Sequence, residues 1–512
     1  VIDAVEIELF NHRFAAIAEE MGELLTRTAF SPNIKERRDH SCAIFDENGD
    51  TVAQAAHIPV HLGSAPLCVK AVIGRLDLQP GQTAIVNDPF AGGTHLPDIT
   101  LVTAVLLAPG LSWYVATRAH HADVGGIAPG SLPPSRTIDD EGWRIAPALL
   151  DETVAASLLA ASRTPDERRG DLAAQKAANA LGARRLAELG ARHGADRLRS
   201  MAAALTDYSE RCVASVLAQI PDGEAAVEDY LDDARGDGHP IRLALWLKKI
   251  GGTCILDFSA CDPQVEGPMN AVRAIVESAV LYVLVCLAGE EVPANAGALR
   301  PATILTRPGT VVDAVEPAAV AAGNVETSQR LVDVVLQAFS RLAPERVPAA
   351  SYGSMNNVLI GSVAGATPAW VYYETVGGGH GASALGPGAS AMQAHMTNTL
   401  NTPVEALELA YGMRIEQYAI RDGSGGAGRF RGGDGIVRAW HFCADVEVTV
   451  IADRRRFGPP GAEGGGDGAV GRQYLVEDER VIELGGKFTR RVRVGSTLVV
   501  ETPGGGGWGS PD

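Results

Sequence analysis

The strongest constraint on this chain is a hairpin. Residues 98–107 are β-branched and apolar, Ala108-Pro109-Gly110 supplies a turn, and residues 111–120 run back as a second strand. With that turn, Asp98 stands opposite His120. Directly opposed side chains share one face of an antiparallel pair, roughly 5 Å apart at Cβ. The loop Asn87-Asp88-Pro89-Phe90-Ala91-Gly92-Gly93-Thr94-His95-Leu96-Pro97 leads into the first strand, and His121-Ala122-Asp123-Val124-Gly125-Gly126 follows the second. The hairpin therefore brings both segments to one end.

What converges there is His95, Asp98, His120, His121 and Asp123. Imidazole nitrogens and carboxylate oxygens are ligands for Zn, Mn or Fe. Two His and one carboxylate leave positions open for water and substrate, as a catalytic metal requires. A one-residue slip of register would put His121 in place of His120.

Other segments set the surroundings. Phe10, Phe14, Ile17, Met21 and Leu24 recur at helical spacing, and Ser31-Pro32 ends that run. Asn48-Gly49 predicts a type I′ turn between two short strands. Residues 171–220 are Ala-rich and helical, broken at His193-Gly194, and further helices are expected over 271–288 and 327–342. After about 415 the chain turns to glycine-rich loops and short strands. The fold class expected is mixed α+β in several layers, with an N-terminal helix and hairpins, a helical middle and a β-rich end. The divisions expected are 1–160 for the metal-site region, 161–222 helical, 223–415 an α/β core and 416–512 β-rich.

Composition narrows the function. With 44 Lys+Arg against 62 Asp+Glu, the net charge of −18 repels a phosphate backbone and argues against nucleic-acid binding. Seven scattered cysteines without a Cys-x-x-Cys pair suggest buried thiols in a reducing cytoplasm. No basic-then-apolar leader is recognised, and the most apolar run, 279–288, is too short to cross a bilayer.

Further candidates are weaker. Asp39, in the polar run 35–41, can be a ligand or an acid/base group, or a solvated loop charge. His57 and His61 flank Pro59, which rules against a shared helix face, and stand as supporting residues. The stretches 374–381 and 422–435 can bind an anion through backbone N–H groups or simply make tight turns. Gly378, Gly379, His380 and Asn398 are the substrate-contact candidates. No Walker loop, dinucleotide fingerprint or nucleophile elbow is recognised.

Six longer stretches carry a resemblance: 30–39, 87–98, 118–126, 396–405, 423–435 and 502–509. Together the chain resembles the hydantoinase B/5-oxoprolinase family, which spans cyclic-amide hydrolases and the α subunits of ketone carboxylases. The resemblance implies a divalent transition metal (Zn, Mn or Fe) held by His95, Asp98 and His120, with Asp39 as a further ligand. It also implies a hetero-oligomer with an A-type subunit of actin-like fold, which would use ATP to phosphorylate a small cyclic amide. His121 or Asp123 would then accept a proton during hydrolysis. Three alternatives are an α-type carboxylase subunit, a partner-binding subunit without catalysis, and a self-sufficient metallohydrolase that needs no ATP.

Overall fold

A computed structural model describes residues 3–55, 58–130, 132–289, 292–366 and 368–511. The N-terminal helix Ala4–Thr28 starts at Asp3, whose side chain accepts from the Val5 N–H. It buries Phe10, Phe14, Ile17 and Met21 as the spacing predicts, and then Leu25 rather than Leu24. The chain leaves this helix at Ala29, and Pro32 opens the short helix Pro32–Lys35.

A six-stranded antiparallel sheet follows, in the order Thr51–Ala55, His40–Phe45, Leu111–His120, Asp98–Ala108, Thr83–Val86, Ala148–Leu149. The long hairpin lies at its centre. Asp98 pairs with His120, the register expected from sequence, and a bulge near Leu106 takes up the slack before the turn. The 46–50 turn differs from expectation. Only Gly49 has a positive φ, and Asp46 Oδ1 accepts from the N–H groups of Asn48 and Asp50, so an aspartate side chain builds the turn.

The helices Ala4–Thr28 and Pro165–His193 cover one face of this sheet through Phe14, Met21, Trp113 and Ala178. The other face packs Cys68, Val69 and Val72 of the helix Ser64–Arg75 against Val86, Val102 and Ala116. Gly194, at φ 83°, separates Pro165–His193 from Ala195–Leu217, the break expected there.

Three more sheets complete the fold: 302–305, 253–257, 241–250 and 223–231; 371–375, 357–362, 446–451 and 487–492; and 413–421, 435–442, 497–501, 472–477 and 480–484. The largest core joins the second sheet, the helices Arg273–Ala288 and Ser328–Ser340, and the first sheet through Ile85, Ile99 and Leu101. The mixed α+β class is what the sequence indicates. No helix among the described residues is long and apolar enough to cross a membrane.

The glycine-rich loops have a structural purpose. Segments 377–388, 423–435, 458–468 and 503–509 stack backbone on backbone. A Cβ on Gly379 would lie 1.9 Å from the Gly433 oxygen, and one on Gly505 would lie 2.0 Å from the His380 oxygen. Their N–H groups are spent inside the stack: Gly378 donates to Met392, Gly379 to Pro503 and Gly505 to Gly433. Gly378 and Gly379, substrate-contact candidates from sequence, are packing residues of this stack with their N–H groups engaged.

Candidate metal centre

The loop that delivers His95 is tied down by Asn87. Its Nδ2 donates to the carbonyls of Leu96 and Trp143, and its Oδ1 accepts from Ile145 N–H. Asp88 caps the turn at Phe90. Gly92, at φ 84°, passes so close to the Leu67 backbone that a Cβ would sit 2.5 Å from it. These contacts fold the loop back over the hairpin end.

His95, Asp98 and His120 meet there. One ligand atom from each falls within 4.8 Å of the others, and all three residues are buried. Asp98 Oδ1 lies 3.1 Å from His95 Nε2 and 3.4 Å from His120 Nδ1. Asp98 Oδ2 accepts from Thr94 Oγ1 at 2.6 Å and lies 3.3 Å from His61 Nε2. His95 Nδ1 is 3.2 Å from the Ala321 carbonyl, so a ring donating there offers Nε2 to the cluster. Asn324 Nδ2 stands 3.0 Å from that Nε2 and 3.4 Å from Asp98 Oδ2.

The three groups shift one another's protonation. Burial alone would raise the Asp98 pKa, but the charges of His95 and His61 outweigh it and hold the carboxyl well below its usual range. Burial alone would lower that of His95, yet Asp98 outweighs it and the imidazole is raised. His120 is lowered, chiefly by burial.

The sequence marks His61 only as a supporting residue and does not single out Asn324. His61 reaches Asp98 because Pro59 starts a short 3-10 turn, Pro59–His61, and Ser41 Oγ, 2.9 Å from Nδ1, fixes the ring. His57 lies outside the described residues. Asn324 sits in a π-helical turn, Gly323–Thr327, and only tertiary packing brings it here.

Other expectations need correction. His121 points away from the cluster: its Nε2 is 2.9 Å from Gln175 Oε1, and burial lowers it to about 4. Both Asp123 oxygens are taken, Oδ1 by Gly125 and Arg163 N–H groups and Oδ2 by the Arg163 guanidinium at 2.8 Å. Neither residue is grouped with His95, Asp98 and His120. Asp39 touches His120 through its backbone, where its carbonyl accepts from the His120 N–H at 3.0 Å. Its carboxylate is not among the three grouped ligands and lies 3.9 Å from Arg37.

Arg37 explains why the motifs at 30–39 and 396–405 belong together. It is fully buried, stacks 4.3 Å over Tyr373, and donates to the Tyr373 carbonyl and to Thr375 and Thr399. Tyr373 in turn packs its ring 5.0 Å from that of His120.

The family model for hydantoinase B/oxoprolinase matches residues 3–511. The chain belongs to the hydantoinase B/oxoprolinase family. Within it, the chain is 39% identical to 5-oxoprolinase 1 of Arabidopsis thaliana, with 100% of this chain aligned to 42% of that protein. It is 28% identical to the putative B-type subunit of a D-/L-hydantoinase from a Pseudomonas species, covering 90% of it. The chain thus spans less than half of the plant oxoprolinase and nearly all of the Pseudomonas polypeptide. Among solved structures, the ATP-dependent caprolactamase of Pseudomonas jessenii matches with a TM-score of 0.92 at 26% identity, over 100% of this chain and 92% of that one. Acetone carboxylase shares the fold, with a TM-score of 0.90 at 16% identity over 99% and 76%.

Proposed function

We propose that this chain is the metal-bearing part of an ATP-dependent cyclic-amide hydrolase, acting on a substrate phosphorylated by an A-type subunit or its fused equivalent. The observation that carries the proposal is the cluster of His95, Asp98 and His120. Support for a cation there comes from an orphaned acceptor. Among the described residues, buried Asp98 Oδ1 makes no hydrogen bond of good geometry, although two imidazole nitrogens lie within 3.4 Å of it. Such an atom is costly to bury unless something positive joins it.

A divalent ion held by these three residues would supply Lewis acidity to activate water for attack on the phosphorylated amide carbon. The chain's own residues do the rest. His95 is aimed by the Ala321 carbonyl, and Asp98 is fixed by Thr94 and His61. Asp39 adds negative charge felt by both His95 and His120, which favours a divalent guest. Phosphorylation of the amide oxygen elsewhere would supply the better electrophile that this site opens. A partner with the ATP site agrees with the naming of the Pseudomonas relative as one subunit of its enzyme and with the additional length of the plant enzyme.

The test is reconstitution with an A-type partner, ATP and a panel of cyclic amides. His95→Ala is expected to abolish ring opening while the partner still binds ATP. Full turnover by that variant would overturn the assignment, and a requirement for bicarbonate would turn it to carboxylation.

A further inference from the structure

A cavity of about 450 Å³ has Pro59, the first residue of the Pro59–His61 turn, in its wall, and none of His95, Asp98 and His120 lines it. The turn is tied to the segment that carries His395 and Thr397 by the Val60 N–H, which donates to the Met396 carbonyl at 3.3 Å. The volume suits a small organic molecule. Tyr282, Leu287, Leu336 and Pro348 give it apolar walls. The polar groups facing it include Arg346, His380, His395, Thr397 and Asn398, and no carboxylate among the described residues lines it. In a chain with 62 acidic residues against 44 Lys+Arg, this lining carries cationic and neutral polar groups without an opposing carboxylate.

His395 is the fixed point. It is held in the left-handed region at φ 58°, a conformation that non-glycine residues keep only where the surroundings enforce it. Its Nε2 lies 3.1 Å from Asp333 Oδ1, while Asp333 Oδ2 takes Arg454 at 2.8 Å. Burial alone would raise Asp333, but the hydrogen bond from His395 and the charge of Arg454 bring it down to about 2. The imidazole is thereby locked in orientation by a permanent carboxylate. His380 is also fixed: its Nε2 is 2.7 Å from the Gln393 carbonyl. Asn398 and Arg346 are exposed and stand at the rim.

We infer that this cavity is a binding site, separate from the buried cluster, for a small organic anion, a carboxylate or a phosphate ester, held between Arg346 and the Asp333-anchored His395. His380 and Asn398, two of the substrate-contact candidates from sequence, then share one pocket, in contrast to Gly378 and Gly379. The site does not depend on a metal, so its test is separable from that of the cluster.

Cys286 lines the same cavity and is exposed, which makes it a reporter. The full chain is titrated with 5-oxoproline and, separately, with inorganic phosphate. Binding is followed by calorimetry and by the rate at which iodoacetamide alkylates Cys286, read by peptide mass spectrometry against Cys443. Protection of Cys286 by 5-oxoproline alone identifies a carboxylate ligand, and protection by phosphate alone a phosphate ester. Arg346→Ala and His395→Gln are each expected to weaken binding about ten-fold or more, as loss of a charged hydrogen-bond partner does, while His95→Ala binds like wild type. Arg346 is exposed and donates to the surface residue Gln219, so its variant tests the site at the cost of one exposed hydrogen bond. No protection by either probe at millimolar concentration, or unchanged affinity in both cavity variants, would overturn the inference.

Discussion

Asp98 and His120 face each other across the hairpin as a directly paired couple, with Oδ1 3.4 Å from Nδ1, and His95 closes the triangle from the preceding loop. That relation makes the site a property of strand register. A variant that shifts the register would separate the carboxylate from the imidazole without touching either.

The two consecutive histidines are expected to behave differently. His120 faces the cluster, and His121 faces Gln175 on the helix Pro165–His193. His121→Gln should leave metal affinity within a factor of about two, whereas His61→Gln, which removes a contact to Asp98, should weaken it by roughly 10–100-fold. Competition against a chelator of known affinity measures both. Equal effects would place the site on the wrong face of the strand.

Glu141 is expected to act on the cluster through the backbone. Its buried Oε1 accepts from the N–H groups of Val320 and Ala321, both at 2.8 Å, and the Ala321 carbonyl faces His95 Nδ1. Glu141→Ala should lower metal affinity by about ten-fold, with Glu141→Gln recovering part of it, because the amide oxygen still accepts. The same chelator competition reads this, and wild-type affinity in Glu141→Ala would exclude the relay.

Glu326 should give folding a pH dependence. Burial, then the charge of Asp453, raises its carboxyl from about 4.5 to about 7. An acid whose folded pKa is raised contributes stability that is complete below its unfolded pKa and lost as pH rises through the folded one. The loss therefore falls between about pH 4.5 and 7. Glu326→Gln should flatten this stretch of the stability curve, visible as a Tm that changes less between pH 5 and 8 than in the wild type. An unchanged slope would mean that another group carries it.

Adding one methyl group to the glycine stack should be damaging. Gly505→Ala places a Cβ 2.0 Å from a backbone oxygen that no side-chain rotation can move. A loss of about 1–3 kcal/mol or more is expected in urea unfolding. Stability equal to wild type would show that the loops do not depend on backbone contact.

These cases also show what a sequence reveals. The hairpin register was legible because turn and strands are local, and it carried Asp98 and His120 with it. The break at Gly194 and the helices at 273–288 and 328–340 were legible from periodicity. His61 was discounted because Pro59 excludes an α-helical face, yet a 3-10 turn begins readily with proline and presents the ring. Asn324 and the Ala321 carbonyl reach His95 from more than 200 residues away, and no local pattern encodes that meeting. The glycine loops suggested an anion cradle because glycine frees N–H groups to point inwards. Packing, visible only in three dimensions, directs those groups at other backbones.

The most direct test of the account is elemental analysis of the purified chain beside a His95→Ala/His120→Ala variant. The account predicts about one divalent transition metal per chain in the wild type, since three convergent ligands make one site, and its loss in the variant. A wild-type chain that carries no metal and takes none up on titration would contradict it.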